Sequence, residues 1–231
     1  MNITARKIGN RKRIKPIYVM HEKGVLTSEN SAVIDGLKEL VNVTGTRIPI
    51  KDFGEWNQGD GDYESVRWYI AEAAKAGREG KGYGYQLNAS NIISHLGLEP
   101  WKNQQDHYDV FICNSDMWDG TSRTNFIIGL ASPGDSTTFS VKRFRELDEW
   151  MKNECIKTET MHEVGHVFGL IPYSRTKNVE QSLGKHCTNK CTMRQGLMVP
   201  QDWIKITKDR LDYGAFCDDC KKDLVEYFKG E

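Results

Sequence analysis

Charge of one sign, long apolar runs and histidine are what this chain lacks. Lysine plus arginine number 32 and aspartate plus glutamate number 32, so the formal net charge is zero. No global field therefore selects nucleic acid or an anionic membrane as partner. Nothing approaches the roughly 18 consecutive apolar residues of a membrane span. Residues 1–15 hold Arg6, Lys7, Arg11, Lys12, Arg13 and Lys15 without an acid, and they read as a solvated basic arm. No apolar core of about 7–15 residues follows that arm, so a secretory signal is not expected and the expected compartment is the cytoplasm. In that reducing setting thiolates favour metal over disulfide. Internal repeats and low-complexity segments are also absent. A chain of 231 residues is long enough for one well-buried domain.

The six histidines are few, yet two of them fall in Met161-His162-Glu163-Val164-Gly165-His166-Val167-Phe168-Gly169-Leu170. On a helix His162 and His166 share a face, and their imidazoles can meet one ion at about 2.0–2.1 Å. Glu163 then stands beside the open position of that ion, where a carboxylate can take a proton from water. Such a pattern arises by chance in roughly one chain in a hundred of this composition. Two histidines do not complete a catalytic zinc site, which usually has three protein ligands and water. Downstream, His186-Cys187, Cys191 and Cys217-Asp218-Asp219-Cys220 place four of the six cysteines in two close pairs. Paired cysteines suit a tetrahedral four-sulfur zinc site, with disulfides or buried thiols as the plainer readings. Cys113 and Cys155 sit in apolar stretches and read as buried thiols.

In this combination the residues resemble the archaemetzincins, small metalloproteases of the metzincin clan. That family joins an extended zinc helix to a His-Cys, a second cysteine, a methionine two residues later and a distal Cys-x-x-Cys. Here the parts run in the same order: His162-Glu163-x-x-His166-x-x-Gly169, His186-Cys187, Cys191-x-Met193 and Cys217-x-x-Cys220. The likeness covers about the last third of the chain. It implies His162, His166 and His186 as ligands of a catalytic zinc and Glu163 as general base. It also implies Met193 in a turn beneath that metal, with Cys187, Cys191, Cys217 and Cys220 around a second, structural zinc. The family's third histidine comes six residues after the second, a position held here by Pro172, so an insertion spans residues 173–185. Closing a longer loop costs only about 0.6 kcal/mol per doubling of length. Glu180 is a rival third ligand, and Met198 a rival for Met193. The family also pairs peptide substrates with an edge strand above the cleft. Phe126 to Ala131, with Ile127, Ile128, Gly129 and Leu130 at its centre, is the candidate, an interior strand being the alternative.

Periodicity places strands at 17–20, 46–53, 107–113, 125–131 and 137–144. Helices are expected from about Ser28 to Val41, from Tyr63 to Ala76, and from near Arg145 through the zinc motif. Gly77 to Gly84 reads as a turn, and Gly59-Asp60-Gly61-Asp62 as a turn capping the next helix rather than a calcium loop. His21, His95 and His107 have no ligand spacing, so packing is their expected role. The resemblance implies an α+β fold of metzincin type, with a mixed twisted sheet, two or three long helices and a small irregular C-terminal subdomain. The expected division is an upper subdomain at 16–170 and a lower one at 171–231 within one catalytic domain. The function so implied is zinc-dependent hydrolysis of peptide bonds by a monomer holding two zinc ions. The alternative is an inactive zinc-stabilised binding protein of the same fold. A nucleic-acid module is a poor third reading, because the chain is neutral and no basic helix joins the cysteines.

Overall fold

The computed structural model describes residues 14–57, 63, 65–121 and 124–229, including every side chain in that set except those of Pro100 and Trp101. Most of the basic arm and the Gly59–Asp62 turn lie outside the described residues. Strand β1 (Ile17–His21) leads to helix α1 (Thr27–Thr44) and then to β2 (Ile50–Gly54), which begins just after Pro49. Helix α2 (Val66–Lys75) follows, then β3 (Arg78–Gly80), β4 (Gly84–Asn88) and α3 (Ala89–Leu96). The short α4 (Pro100–Gln104) precedes the central β5 (Tyr108–Cys113). Next come β6 (Asp116–Trp118), β7 (Gly129–Ser132), β8 (Ser136–Ser140) and a 3₁₀ turn at Lys142–Glu146. The long α5 (Glu149–Val167) carries the two-histidine motif. The hairpin strands β9 (Val179–Ser182) and β10 (Gly184–Cys187), then α6 (Gln201–Tyr213) and α7 (Asp218–Lys229), complete the chain.

The main sheet has the order β2-β1-β5-β8-β7, with β7 antiparallel to β8 and every other pair parallel. Every residue of β5 is buried, as expected of a strand covered on both faces. Alternation sorts its side chains. Val19, Val110 and Ile112 meet Val33, Leu37 and Leu40 of α1 and Ile156 and Val164 of α5. Met20, Phe111 and Cys113 point the other way, against Tyr69 and Ala73 of α2 and Ile92 and Leu96 of α3. Cys113 and Cys155 are fully buried free thiols. The protein is therefore mixed α/β with helices on both faces of a mixed sheet. No helix among the described residues is long and apolar enough to cross a membrane.

Several elements depart from the sequence expectation. Gly77–Gly84 is not merely a turn, because Arg78–Gly80 and Gly84–Asn88 pair as a hairpin. The strand expected at 125–131 is regular only from Gly129 to Ser132. The zinc-motif helix starts at Glu149, where the Asp148 carboxylate accepts a hydrogen bond from the Met151 amide at 3.0 Å, as an N-cap should. The C-terminal part is not irregular, since α6 and α7 occupy much of it. The insertion is a hairpin tied down by Lys185, whose ammonium donates at 2.9 Å to the carbonyls of Pro172 and Tyr173.

The position of α5 depends on close packing against α1. A Cβ at Gly36 would lie 2.9 Å from the Lys157 carbonyl oxygen and 3.1 Å from its Cα. Alanine gains about 1 kcal/mol over glycine in helix propensity, but overpacking against immovable backbone costs about 1–3 kcal/mol. Gly36→Ala should therefore lower the midpoint of denaturant unfolding at unchanged slope. A raised midpoint would show that α1 and α5 do not meet at this point.

Candidate metal centre

The buried length of α5 presents His162 and His166 one turn apart. The helix ends in a Schellman turn: the Leu170 amide donates to the Gly165 carbonyl and the Gly169 amide to that of His166, both at 3.0 Å. Gly169 adopts φ +68°, a left-handed conformation that glycine tolerates at this position. The turn directs the chain into the inserted hairpin, which returns His186 on β10. Ring centroids of the three histidines lie 4.9, 5.1 and 5.2 Å apart. One ligand nitrogen from each falls within 4.8 Å of the others. Glu180 stands opposite His186 in the hairpin register but, among the described residues, joins no such cluster.

The environment favours neutral imidazoles, the form that binds metal. Burial, reinforced by His166 and His186, holds the His162 pKa well below its ordinary value. Burial likewise lowers His166 to about 3 and His186 to about 4. The His162 Nδ1 lies 2.8 Å from the Thr192 carbonyl oxygen. That acceptor fixes the proton on Nδ1 and frees Nε2, the usual outer partner of a ligating histidine. His186 Nδ1 is buried with no hydrogen-bond partner. Three neutral imidazoles facing one point, one of them with an orphaned nitrogen, fit a zinc ion in donor type and spacing. Met193 is fully buried, and a Cβ on Gly165 would come within 2.6 Å of its sulfur, so it lies beneath this turn of α5. Its rival Met198 is 58% exposed.

Glu163 lines a cleft of about 800 Å³ that also touches His166, His186 and Trp203. The opposite wall is β7 with the residues before it, Ile127 and Ile128 included. Here β7 is the edge strand of the five-stranded sheet, while Ile127, just ahead of it, bridges Met117 of β6. Gly129 allows the close approach, since a Cβ there would fall 2.5 Å from the Glu163 carboxyl carbon and 2.6 Å from Glu159 Oε1. Burial raises the Glu163 carboxyl to about 8, and a dication at the histidines would oppose that shift. Glu159 is a residue the sequence reading misses. It is fully buried, lines the same cleft, and neither oxygen has a hydrogen-bond partner. Its place one helical turn before Glu163 was the available signal.

All four paired cysteines converge. One sulfur from each of Cys187, Cys191, Cys217 and Cys220 lies within 4.8 Å of the others, and none is in a disulfide. Cys187 and Cys217 sulfurs are 3.7 Å apart, close to the edge of about 3.75 Å for a tetrahedron with 2.3 Å zinc–sulfur bonds. Hydrogen bonding to Cys191 contributes most to lowering the Cys187 thiol to about 7. Contacts with Cys187 and its neighbours push Cys217 far down but Cys220 far up. Arg175 donates to Cys220 at 3.2 Å and to Cys187 at 3.3 Å, while Asn189 donates to Cys217 at 3.3 Å. These donors favour the thiolate forms that bind metal. Replacing Cys217 and Cys220 by serine should remove one zinc per chain and lower thermal stability. Unchanged zinc content and melting temperature would refute a structural ion here.

No family model matches the chain. It is 30% identical over 140 residues to an archaemetzincin of Nanoarchaeum equitans, covering 61% of this chain and 63% of that one. An archaemetzincin of Archaeoglobus fulgidus is 35% identical over 71 residues, 30% of this chain and 36% of its own. The match thus spans less than two thirds of the length of either curated relative. The fold superposes on the crystal structure of an archaemetzincin from Methanopyrus kandleri with a TM-score of 0.64, covering 96% of this chain and 99% of that one at 19% identity. At that identity the likeness is one of fold.

Proposed function

We propose that this archaemetzincin-like chain is a zinc-dependent metallopeptidase. His162, His166 and His186 would hold the catalytic ion, and Cys187, Cys191, Cys217 and Cys220 a structural one. When bound, the catalytic zinc supplies Lewis acidity toward the scissile carbonyl and lowers the pKa of water from 15.7 to about 7. Glu163 takes the proton of the attacking water and returns it to the leaving amine, so no covalent enzyme intermediate is needed. The observation that carries this reading is the Glu163 carboxyl in the cleft, adjacent to the histidine cluster and facing an edge strand. A carboxylate that merely supported the helix would have no reason to line that cleft.

The substrate is a peptide or protein laid along the edge strand β7, with the Ile127–Leu130 segment forming the wall of the cleft. Met193 forms a hydrophobic floor beneath the ligands and does not bind metal. In the same proposal the protein acts as a monomer in the cytoplasm, with neither nucleic acid nor membrane as a partner.

Glu163→Gln should keep its zinc yet lose about 10²–10⁴-fold in kcat/KM on peptides. Activity within twofold of the parent would remove Glu163 from the role of base. Gly129→Ala drives a methyl group into the space of both carboxyls, and misplacing reacting groups by about 1 Å can cost about 100-fold. A folded Gly129→Ala protein should therefore lose at least about tenfold in kcat/KM. Full activity would show that the close approach of β7 is not needed.

A further inference from the structure

Sequence spacing leaves His107 with a packing role only. The fold instead brings it together with Glu99, just ahead of α4, and Asp109, in the central strand β5. One ligand atom from each lies within 4.8 Å of the others, and none of the three residues is more than 1% exposed. His107 Nδ1 stands 2.6 Å from the Gln105 carbonyl oxygen. A carbonyl only accepts, so Nδ1 carries a hydrogen and Nε2 faces the carboxylates. Nε2 is 3.1 Å from Asp109 Oδ1 and 3.6 Å from Glu99 Oε2. His107 Nε2, Asp109 Oδ1 and Glu99 Oε2 are all buried without a hydrogen-bond partner.

A cation serves all three. Two ligand atoms at about 2.0–2.2 Å from a tetrahedral ion are about 3.3–3.6 Å apart; the Glu99 spacing of 3.6 Å matches, and the Asp109 spacing of 3.1 Å has to open slightly. Each candidate ligand also has the outer partner that metal ligands characteristically carry. Tyr69 donates its hydroxyl to Glu99 Oε1, Gln105 orients His107, and the Lys102 ammonium holds Asp109 Oδ2 at 2.8 Å. Lys102 also pairs with Asp135. The ammonium thus serves Asp109 and Asp135 but not Glu99, and a dication between Glu99 and Asp109 would supply the positive charge that Lys102 does not bring to Glu99.

We propose that Glu99, His107 and Asp109 form a third divalent-metal site, separate from the histidine and cysteine centres. One imidazole with two carboxylates suits zinc, manganese(II) or iron(II). The ion would clamp the segment joining α3 and α4 to the amino end of β5, on elements that contribute no ligand to the other two centres.

The test is a count of bound metal by mass spectrometry after loading with zinc(II) or, separately, manganese(II) and removing loose ions by gel filtration. His107→Gln and Glu99→Gln are compared with the parent protein, and circular dichroism establishes folding. Each folded variant should hold one ion per chain fewer than the parent for at least one of the two metals. Equal content of both metals in parent and folded variant overturns the site and identifies His107 as an ion-paired imidazolium. Should neither variant fold, a zinc-edge anomalous map of zinc-soaked parent crystals decides. A peak within bonding distance of His107 Nε2 supports the proposal, and no peak there overturns it.

Discussion

Everything at the candidate centre follows from the gathering of three imidazoles, two buried and one half-buried, around one point. Burial alone makes each hard to protonate, and mutual repulsion adds to this for His162 and His166. Lone pairs that cannot take up protons and face one another are costly unless a cation sits among them. The fold supplies what holds them there. A helix packed against α1 with no room for a Cβ at Gly36 fixes two, and a hairpin closing directly onto Cys187 fixes the third. Because His186 and Cys187 are consecutive on β10, the histidine and cysteine clusters are mechanically one unit. Order at the sulfurs is order at the third imidazole.

The cleft repeats this economy on its other wall. An antiparallel edge strand approaches α5 closely enough that residue 129 must be glycine, and it does so opposite two carboxyls rather than one. Segments before β7 are held from behind by Arg143, which pairs with Asp116 at 2.8 and 2.9 Å and stacks beneath Phe126 at 3.5 Å from the ring centroid. The strand wall is thus braced by a buried ion pair, and flexibility there would blur the distance between Gly129 and Glu163. Glu159 extends the acidic floor of the cleft one turn along the helix, where an extended ligand would pass.

What could be read from sequence was what is local. His162, Glu163 and His166 occupy one helical turn, and Cys217 and Cys220 one bend, so their spacing alone announces metal. Central strand β5 was legible because burial on both faces makes Val110–Cys113 a continuous apolar run. The β9–β10 hairpin was not, because Val179-Glu180-Gln181-Ser182 is mostly exposed and lacks apolar alternation. For α6, the stripe of Trp203, Ile206, Thr207 and Arg210 was present but was overshadowed by the flanking cysteines. Glu159 carries only its place one helical turn before Glu163, and His107 no ligand spacing at all, so neither stands out from ordinary surface or core residues. Their partners arrive from β7 and from the α3–α4 junction, and only the folded chain brings these together.

The most direct measurement is hydrolysis of a broad peptide mixture by the parent protein, followed through zinc removal with a chelator and restoration with zinc(II). The account predicts cleavage that disappears on chelation and returns when zinc is restored to the folded protein. Cleavage that survives complete removal of zinc would contradict it. So would its absence from folded protein with zinc bound by His162, His166 and His186.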